Sequence, residues 1–152
     1  MNEPQQRKGE PPREYARFGS TIAARIDRGE EILTELKKIA LAENVRLAHI
    51  SALGAVGDFT VGVFRTAEKQ YQAKRFTGDW EIVSLVGNIT QMNGEYYAHL
   101  HMSAGGTDGS VVGGHLNSAT VSATCEMFIT VLDGTVERCF DGDVGLNLFK
   151  FV

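Results

Sequence analysis

Residues 93–115 read NGEYYAHLHMSAGGTDGSVVGGH, and the fold and chemistry of the chain both turn on how this stretch pairs. Asn93-Gly94 is a tight-hairpin signal, because a two-residue type I′ turn needs positive φ at both central positions. The segment after it reads as a strand. Alternate strand side chains share a face, so His99 and His101 project together. Thirteen residues separate His101 from His115, with Gly105, Gly106 and Gly109 among them. A turn centred on Asp108 sets His101 opposite His115, and directly opposed residues share a face. An odd-length loop, or a bulge at a glycine, gives that parity; a two-residue turn at Asp108-Gly109 puts His115 on the other face. Three neutral imidazoles converging with a fourth position open form the ligand set of a catalytic zinc. The alternative is three unrelated histidines, two of them partly buried and hydrogen-bonded.

Outward from this stretch the pattern is mostly strand. Towards the N-terminus, Trp80–Ile89 follows a Gly78-Asp79 turn, and Tyr71–Phe76 is a short edge strand protected by Lys74 and Arg75. Phe59–Arg65 alternates, and Leu47–Leu53 is apolar, with Gly54 and Gly57 marking a turn between them. His49 reads as a core or edge histidine outside the site. Ile32, Leu33, Leu36, Ile39 and Ala40 share one helical face, giving a helix that ends near Asn44. Asp27 is its expected N-cap, with Glu30 completing a capping-box pair. Tyr15–Ile26 reads as a strand. Towards the C-terminus, Ala119–Leu132 is a long β-branched run. Asp133-Gly134 reads as a hairpin, and Val136–Phe140 and Leu146–Phe151 close the chain. The fold class is α+β: a curved, mostly antiparallel sheet with one main helix in the N-terminal half. Residues 1–13, polar and holding all three prolines, read as a disordered tail; residues 14–152 read as one domain.

Composition narrows the function. The net charge of −4 disfavours a mainly electrostatic grip on nucleic acid, which needs a basic face. No apolar run approaches the ~20 residues of a membrane span, and no signal-peptide core is seen. Cys125 and Cys139 lack metal-type spacing and read as reduced core thiols, which implies a cytoplasmic protein.

Around the histidines, Glu126 stands in the middle of an apolar strand, where an unpaired carboxylate costs several kcal/mol. It reads as a fourth ligand, as a general acid/base, or as an edge or subunit-contact Glu paired with an arginine. Glu81 is a weaker candidate of the same kind. Tyr97 shares the face of His99 and either hydrogen-bonds a ligand or packs. Asn88 is placed to orient an imidazole. Arg25 is an anion partner or, the reading given more weight, part of a surface salt bridge. Gly113-Gly114 serves close packing or a bulge.

Arg25–Leu33, Ile50–Ala55, Glu81–Ile89, His99-Leu100-His101 and Gly113–Leu116 together resemble the PPC (plant and prokaryote conserved) domain, from about Arg17 to Val152. The resemblance implies an antiparallel-sheet domain that assembles as a homotrimer. Plant members join it to DNA-binding AT-hooks. Prokaryotic single-domain members, in which the histidine triad is typical, are often labelled predicted DNA-binding proteins by analogy. This chain contains no Gly-Arg-Pro hook core, so that label rests on fold analogy. The fold and the HxH…H pattern are also similar, more distantly, to acetolactate decarboxylase, a zinc enzyme. That likeness carries His99, His101 and His115 over as Zn2+ ligands and implies a zinc-dependent lyase or hydrolase as the class of any activity. Three functions stay open: a metal-binding homotrimer with a small-molecule or enzymatic role, a DNA-associated regulator whose DNA binding is weak by charge, and an oligomerisation module stapled by metal.

Overall fold

Asn93 and Gly94 both take positive φ, 54° and 75°. They form the expected tight turn between β4 (Gln70–Met92) and β5 (Glu95–Gly105). β5 turns through residues 106–110 into β6 (Val111–Val131), and β6 also pairs along β3 (Ala48–Arg65). β3 pairs in turn with β4. These four antiparallel pairings close a circuit β3–β4–β5–β6, which is the curved sheet of the α+β fold. The computed structural model describes residues 14–151. The tail expected over residues 1–13 lies outside the described residues.

The four long strands curl around one core. Ile50, Val56, Phe59, Leu85, Ile89, Leu100, Met127 and Ile129 point inward and are all but inaccessible; each such side chain contributes about 1.5–3 kcal/mol by leaving water. Helix α1 (Ile32–Ala42) lays Ile32, Leu36, Ile39 and Ala40 on the same core. Its cap differs from expectation by a few residues. The Glu31 carboxylate accepts the Leu33 and Thr34 N–H groups at 3.2 and 2.8 Å and so satisfies orphan donors of the first turn. The Glu30 carboxylate does reach back to the Asp27 N–H, at 2.8 Å. The helix stops at Ala42, with Asn44 at φ 52° just beyond it.

Where segmentation differs from the sequence reading, glycine is usually the reason. Gly54 and Gly57 do not end a strand; β3 runs through them with register shifts. At Gly54, a Cβ would overlap the Thr124 carbonyl oxygen, so this glycine permits close strand approach rather than reversal. Gly78-Asp79 likewise lies inside β4, whose 23 residues are one strand. Conversely, Tyr15–Ile26 is two strands, β1 (Tyr15–Phe18) and β2 (Thr21–Asp27), reversing at Gly19 with φ 61°. Asp133-Gly134 makes no hairpin. The chain crosses instead to β7 (Glu137–Asp141), which bridges β4 in parallel at Gln91 and forms a hairpin with β8 (Leu146–Lys150). Cys125 is buried as expected, whereas Cys139 is exposed on β7.

Candidate metal centre

His101 and His115 are directly opposed across the β5–β6 hairpin. The connecting loop has five residues, so the odd parity required for a shared face is met. Asp108 organises the turn by accepting the Ser110 N–H and hydroxyl at 2.9 and 2.6 Å. His99 lies one pleat further along β5. Ring centroids are 5.0 Å apart for His99–His101, 5.1 Å for His99–His115 and 5.7 Å for His101–His115. One nitrogen from each ring lies within 4.8 Å of the other two. Among the described residues, no further His, Cys, Asp or Glu joins this group.

The three rings project from the outer face of the sheet, while Leu100 and Met102 between and beyond them point into the core. Backbone contacts set the site closely. A Cβ on Gly114 would overlap the Gly62 carbonyl, and one on Gly87 would overlap the His99 carbonyl. Close packing, one of the two roles expected for the Gly113-Gly114 pair, therefore holds at Gly114. Tyr71 packs edge-on against His115, ring centroids 5.8 Å apart, and its hydroxyl bonds the Asn117 side chain.

Burial and neighbouring positive groups hold two of the rings in the neutral form that a metal ligand needs. His99 is half buried, and that burial lowers its pKa to about 4, with His115, His101 and Arg138 adding in that order. His115 is likewise held below its ordinary range, first by burial and then by His101. At neutral pH these two imidazoles are uncharged and offer lone pairs, as metal ligands must. The donor set and its convergence fit one transition-metal ion, and His99 and His115 are held neutral to receive it.

Beside His99 is a polar cluster that the sequence reading missed. Asn88 lies directly opposite His99, and Thr90 opposite Tyr97. Both side chains bond Arg138, which reaches in from β7 and is only 8% exposed. Its Nε donates to Thr90 Oγ1 at 2.8 Å, Nη2 to Asn88 Oδ1 at 2.9 Å and Nη1 to the Asn147 carbonyl at 2.9 Å. The guanidinium is stacked between the rings of Tyr97 and Phe149, 4.7 Å from each centroid. Asn88 was expected to orient an imidazole; instead its carbonyl oxygen holds Arg138. The available signal was Asn88 and Thr90 alternating on one face of the largely apolar stretch that starts at Ile82, a polar pair in need of a partner.

The remaining expected site residues are placed as follows. Tyr97 is in the site's neighbourhood, under Arg138, with Asn147 Nδ2 donating to its hydroxyl at 3.4 Å. Glu126 is exposed on β6, opposite Arg25 and Leu53, so the burial cost assumed for it does not arise. Glu81 is exposed on β4. Arg25 forms a surface pair with Asp27 at 2.6 Å. His49 is neither in the core nor at an edge: it is exposed on β3, between β4 and β6, opposite Asn88.

The model of the Plants and Prokaryotes Conserved domain matches residues 13–133. The chain belongs to that family. A metal-containing protein from Archaeoglobus fulgidus is 35% identical, superposes with a TM-score of 0.82, and is covered over 94% of its length by 88% of this chain. A protein from Bacteroides thetaiotaomicron, provisionally named DNA-binding, is 31% identical with a TM-score of 0.88, covering 90% of this chain and 96% of its own. A plant- and prokaryote-conserved protein from Pyrococcus horikoshii is 28% identical with a TM-score of 0.79, over 97% and 99% of the two chains. Acetolactate decarboxylase from Bacillus subtilis, at 18% identity and a TM-score of 0.55 over 80% of this chain and 57% of its own, shares the fold. No curated protein matches the chain. Among the described residues, no helix is long and apolar enough to cross a membrane.

Proposed function

We propose that this member of the Plants and Prokaryotes Conserved family is a homotrimeric zinc protein that binds a small molecule at His99, His101 and His115. The observation that carries this reading is the convergence of three imidazoles with no fourth side-chain ligand among the described residues, which leaves a coordination position for an exogenous group. Zinc held there supplies a Lewis acid that polarises a carbonyl or water oxygen, the chemistry of a zinc-dependent lyase or hydrolase. The metal-containing relative from Archaeoglobus fulgidus supports the metal.

The chain's own residues have separable roles. Arg138 fixes Asn88, Thr90 and the Tyr97 ring beside His99. Tyr97 is the group proposed to share a proton with the bound molecule. Glu126, the second acid–base residue proposed, reaches such a molecule only across a subunit boundary or along an extended ligand.

Assembly is supported by the sheet's ends and surface. β1 and β8 are terminal strands, and Phe140, Leu148, Phe149 and Phe151 are exposed near the second of them, surface that oligomers cover. Light scattering of the zinc-supplied protein, with zinc counted on the same sample, tests the reading. Three chains and three zinc ions per particle support it; a monomer mass at micromolar concentration, or no zinc, refutes it.

The second reading, a DNA-associated regulator, is favoured by the name of the Bacteroides relative and opposed by the net charge of −4. On the present reading the isolated chain binds duplex DNA more weakly than the ~10⁻⁴–10⁻⁶ M of ordinary non-specific binding. Sub-micromolar, salt-sensitive binding in an anisotropy titration would favour the regulator.

A further inference from the structure

The Tyr71 side chain crosses a neighbouring strand to reach the histidine cluster. Tyr71 lies near the start of β4, opposite Phe64 of β3. Two residues back along β3 is Gly62, which is directly opposed to His115 in the β3–β6 pairing. Diagonal neighbours of this kind are within reach of an aromatic side chain. The ring takes that diagonal, since a Cβ on Gly62 would overlap both the Tyr71 hydroxyl and its ring. Glycine at this position therefore leaves the lane by which the tyrosine passes from β4 over β3 to β6.

On β6 the side chain meets both the backbone and the ring of His115. The Tyr71 hydroxyl donates to the Asn117 side-chain oxygen and, more weakly at 3.4 Å, to the His115 carbonyl. Its ring stands edge-on to the His115 imidazole, at 88° and 5.8 Å between centroids, within the roughly 4.5–7 Å favoured by such pairs. Among the described residues, Tyr71 is the one ring outside the cluster that packs on any of the three imidazoles. No protein hydrogen bond holds a nitrogen of His99, His101 or His115 among those residues. A metal-bound histidine is ordinarily oriented by a hydrogen bond from its second ring nitrogen. Here that task falls to packing, and for His115 the packing group supplied from outside the cluster is Tyr71.

We propose that Tyr71 is a positioning residue of the metal centre. Its ring sets the orientation of the His115 imidazole, its hydroxyl anchors the ring to β6, and the two together tune the affinity and coordination geometry of the bound metal. This rests on the reading of the three histidines as metal ligands and extends it to a residue that donates nothing to the metal itself.

Zinc competition titrations and visible spectra of the cobalt-substituted protein test this, on the full chain as parent, Tyr71→Phe, Tyr71→Leu and Phe76→Leu. Phe76 is on the same strand and packs on Phe59 and Trp80 rather than on a histidine, so its variant controls for a general loss of stability. Loss of a group that orients a ligand costs about 10–100-fold in metal affinity, and a packing contact belongs at the lower end, so Tyr71→Leu should weaken zinc about tenfold. The same variant should change the cobalt d–d bands, which report coordination geometry. Tyr71→Phe keeps the edge-on ring and should recover most of both, while Phe76→Leu should match the parent. In metal-free protein, heteronuclear NMR should show the His115 ring signals moving in Tyr71→Leu more than those of His99 and His101. Parent-like affinity and cobalt bands in Tyr71→Leu, an equal loss in Phe76→Leu, no recovery in Tyr71→Phe, or unmoved His115 signals would each overturn the proposal and leave the histidine site standing. A parent that takes up no metal would refute the histidine reading itself, and this role for Tyr71 with it.

Discussion

Replacing Arg138 with alanine should be among the most damaging single changes available outside the aliphatic core. The β7–β8 hairpin is tied to β4 by one parallel bridge at Gln91, with the Gln91 N–H donating to the Val136 carbonyl at 3.0 Å. The Arg138 side chain adds two hydrogen bonds to β4, alongside Lys69 Nζ donating to the Gly142 carbonyl at 2.6 Å and Asn147 Nδ2 donating to the Tyr97 hydroxyl at 3.4 Å. Its removal strips donors from Thr90 Oγ1, which is fully buried, from Asn88 Oδ1 and from the Asn147 carbonyl. Each orphaned acceptor costs about 1–3 kcal/mol if water cannot reach it. Lost stacking between Tyr97 and Phe149 adds roughly 0.5–2 kcal/mol. Water entering the vacated space recovers part of this, so a net loss of about 3–5 kcal/mol is expected, a large share of a typical 5–15 kcal/mol domain stability. Arg138→Lys keeps the charge but not the three-pronged fork, so it should recover only a minority of the loss. Urea unfolding at fixed protein concentration measures the difference, because assembly makes stability concentration-dependent. Hydrogen exchange should show β7 and β8 amides losing protection before those of β3. An Arg138→Ala midpoint equivalent to less than 1 kcal/mol of destabilisation, or full rescue by lysine, would refute this account of the hairpin.

Two further outcomes follow from the same geometry. His99 and His115 have depressed pKa values in the folded chain, so between the ordinary histidine value near 6.5 and about 4 the unfolded chain binds more protons than the folded one. Stability of the metal-free protein should therefore fall as pH drops through that window, and zinc should be retained to a lower pH than free imidazole would allow; thermal melts and zinc release across pH 4–7 check both. Gly87→Ala would set a methyl 2.7 Å from the Leu100 Cα and into the His99 carbonyl. It should cost roughly 1–3 kcal/mol, as overpacking does, and weaken metal binding through β5, read by denaturation and by zinc titration.

The histidine cluster was legible because strand parity is arithmetic: an HxH pair and a turn centred on Asp108 leave little freedom in where His115 goes. The helix was legible from the spacing of Ile32, Leu36, Ile39 and Ala40. Segment boundaries were harder to read where a glycine served contact rather than reversal. Gly54 and Gly78 are written like turn residues, yet each lies within a strand, and at Gly54 another backbone passes where a Cβ would be. Arg138 was hidden for another reason. Its partners Asn88 and Thr90 are about fifty residues away in sequence, and nothing local marks a β7 arginine as buried. Glu126 differs in the opposite sense: its strand is apolar in composition, yet Glu126 and Phe128 lie on its exposed face.

The central claim is that His99, His101 and His115 hold one metal ion between them. Zinc content of the parent, His101→Ala and His49→Ala proteins, each purified from zinc-supplemented culture and measured by elemental analysis, tests it most directly. One zinc per chain is expected in the parent and in His49→Ala, whose exposed imidazole lies outside the cluster. A sharp loss is expected in His101→Ala with the fold retained by circular dichroism. Equal zinc in His101→Ala and the parent, or none in the supplemented parent, would contradict it.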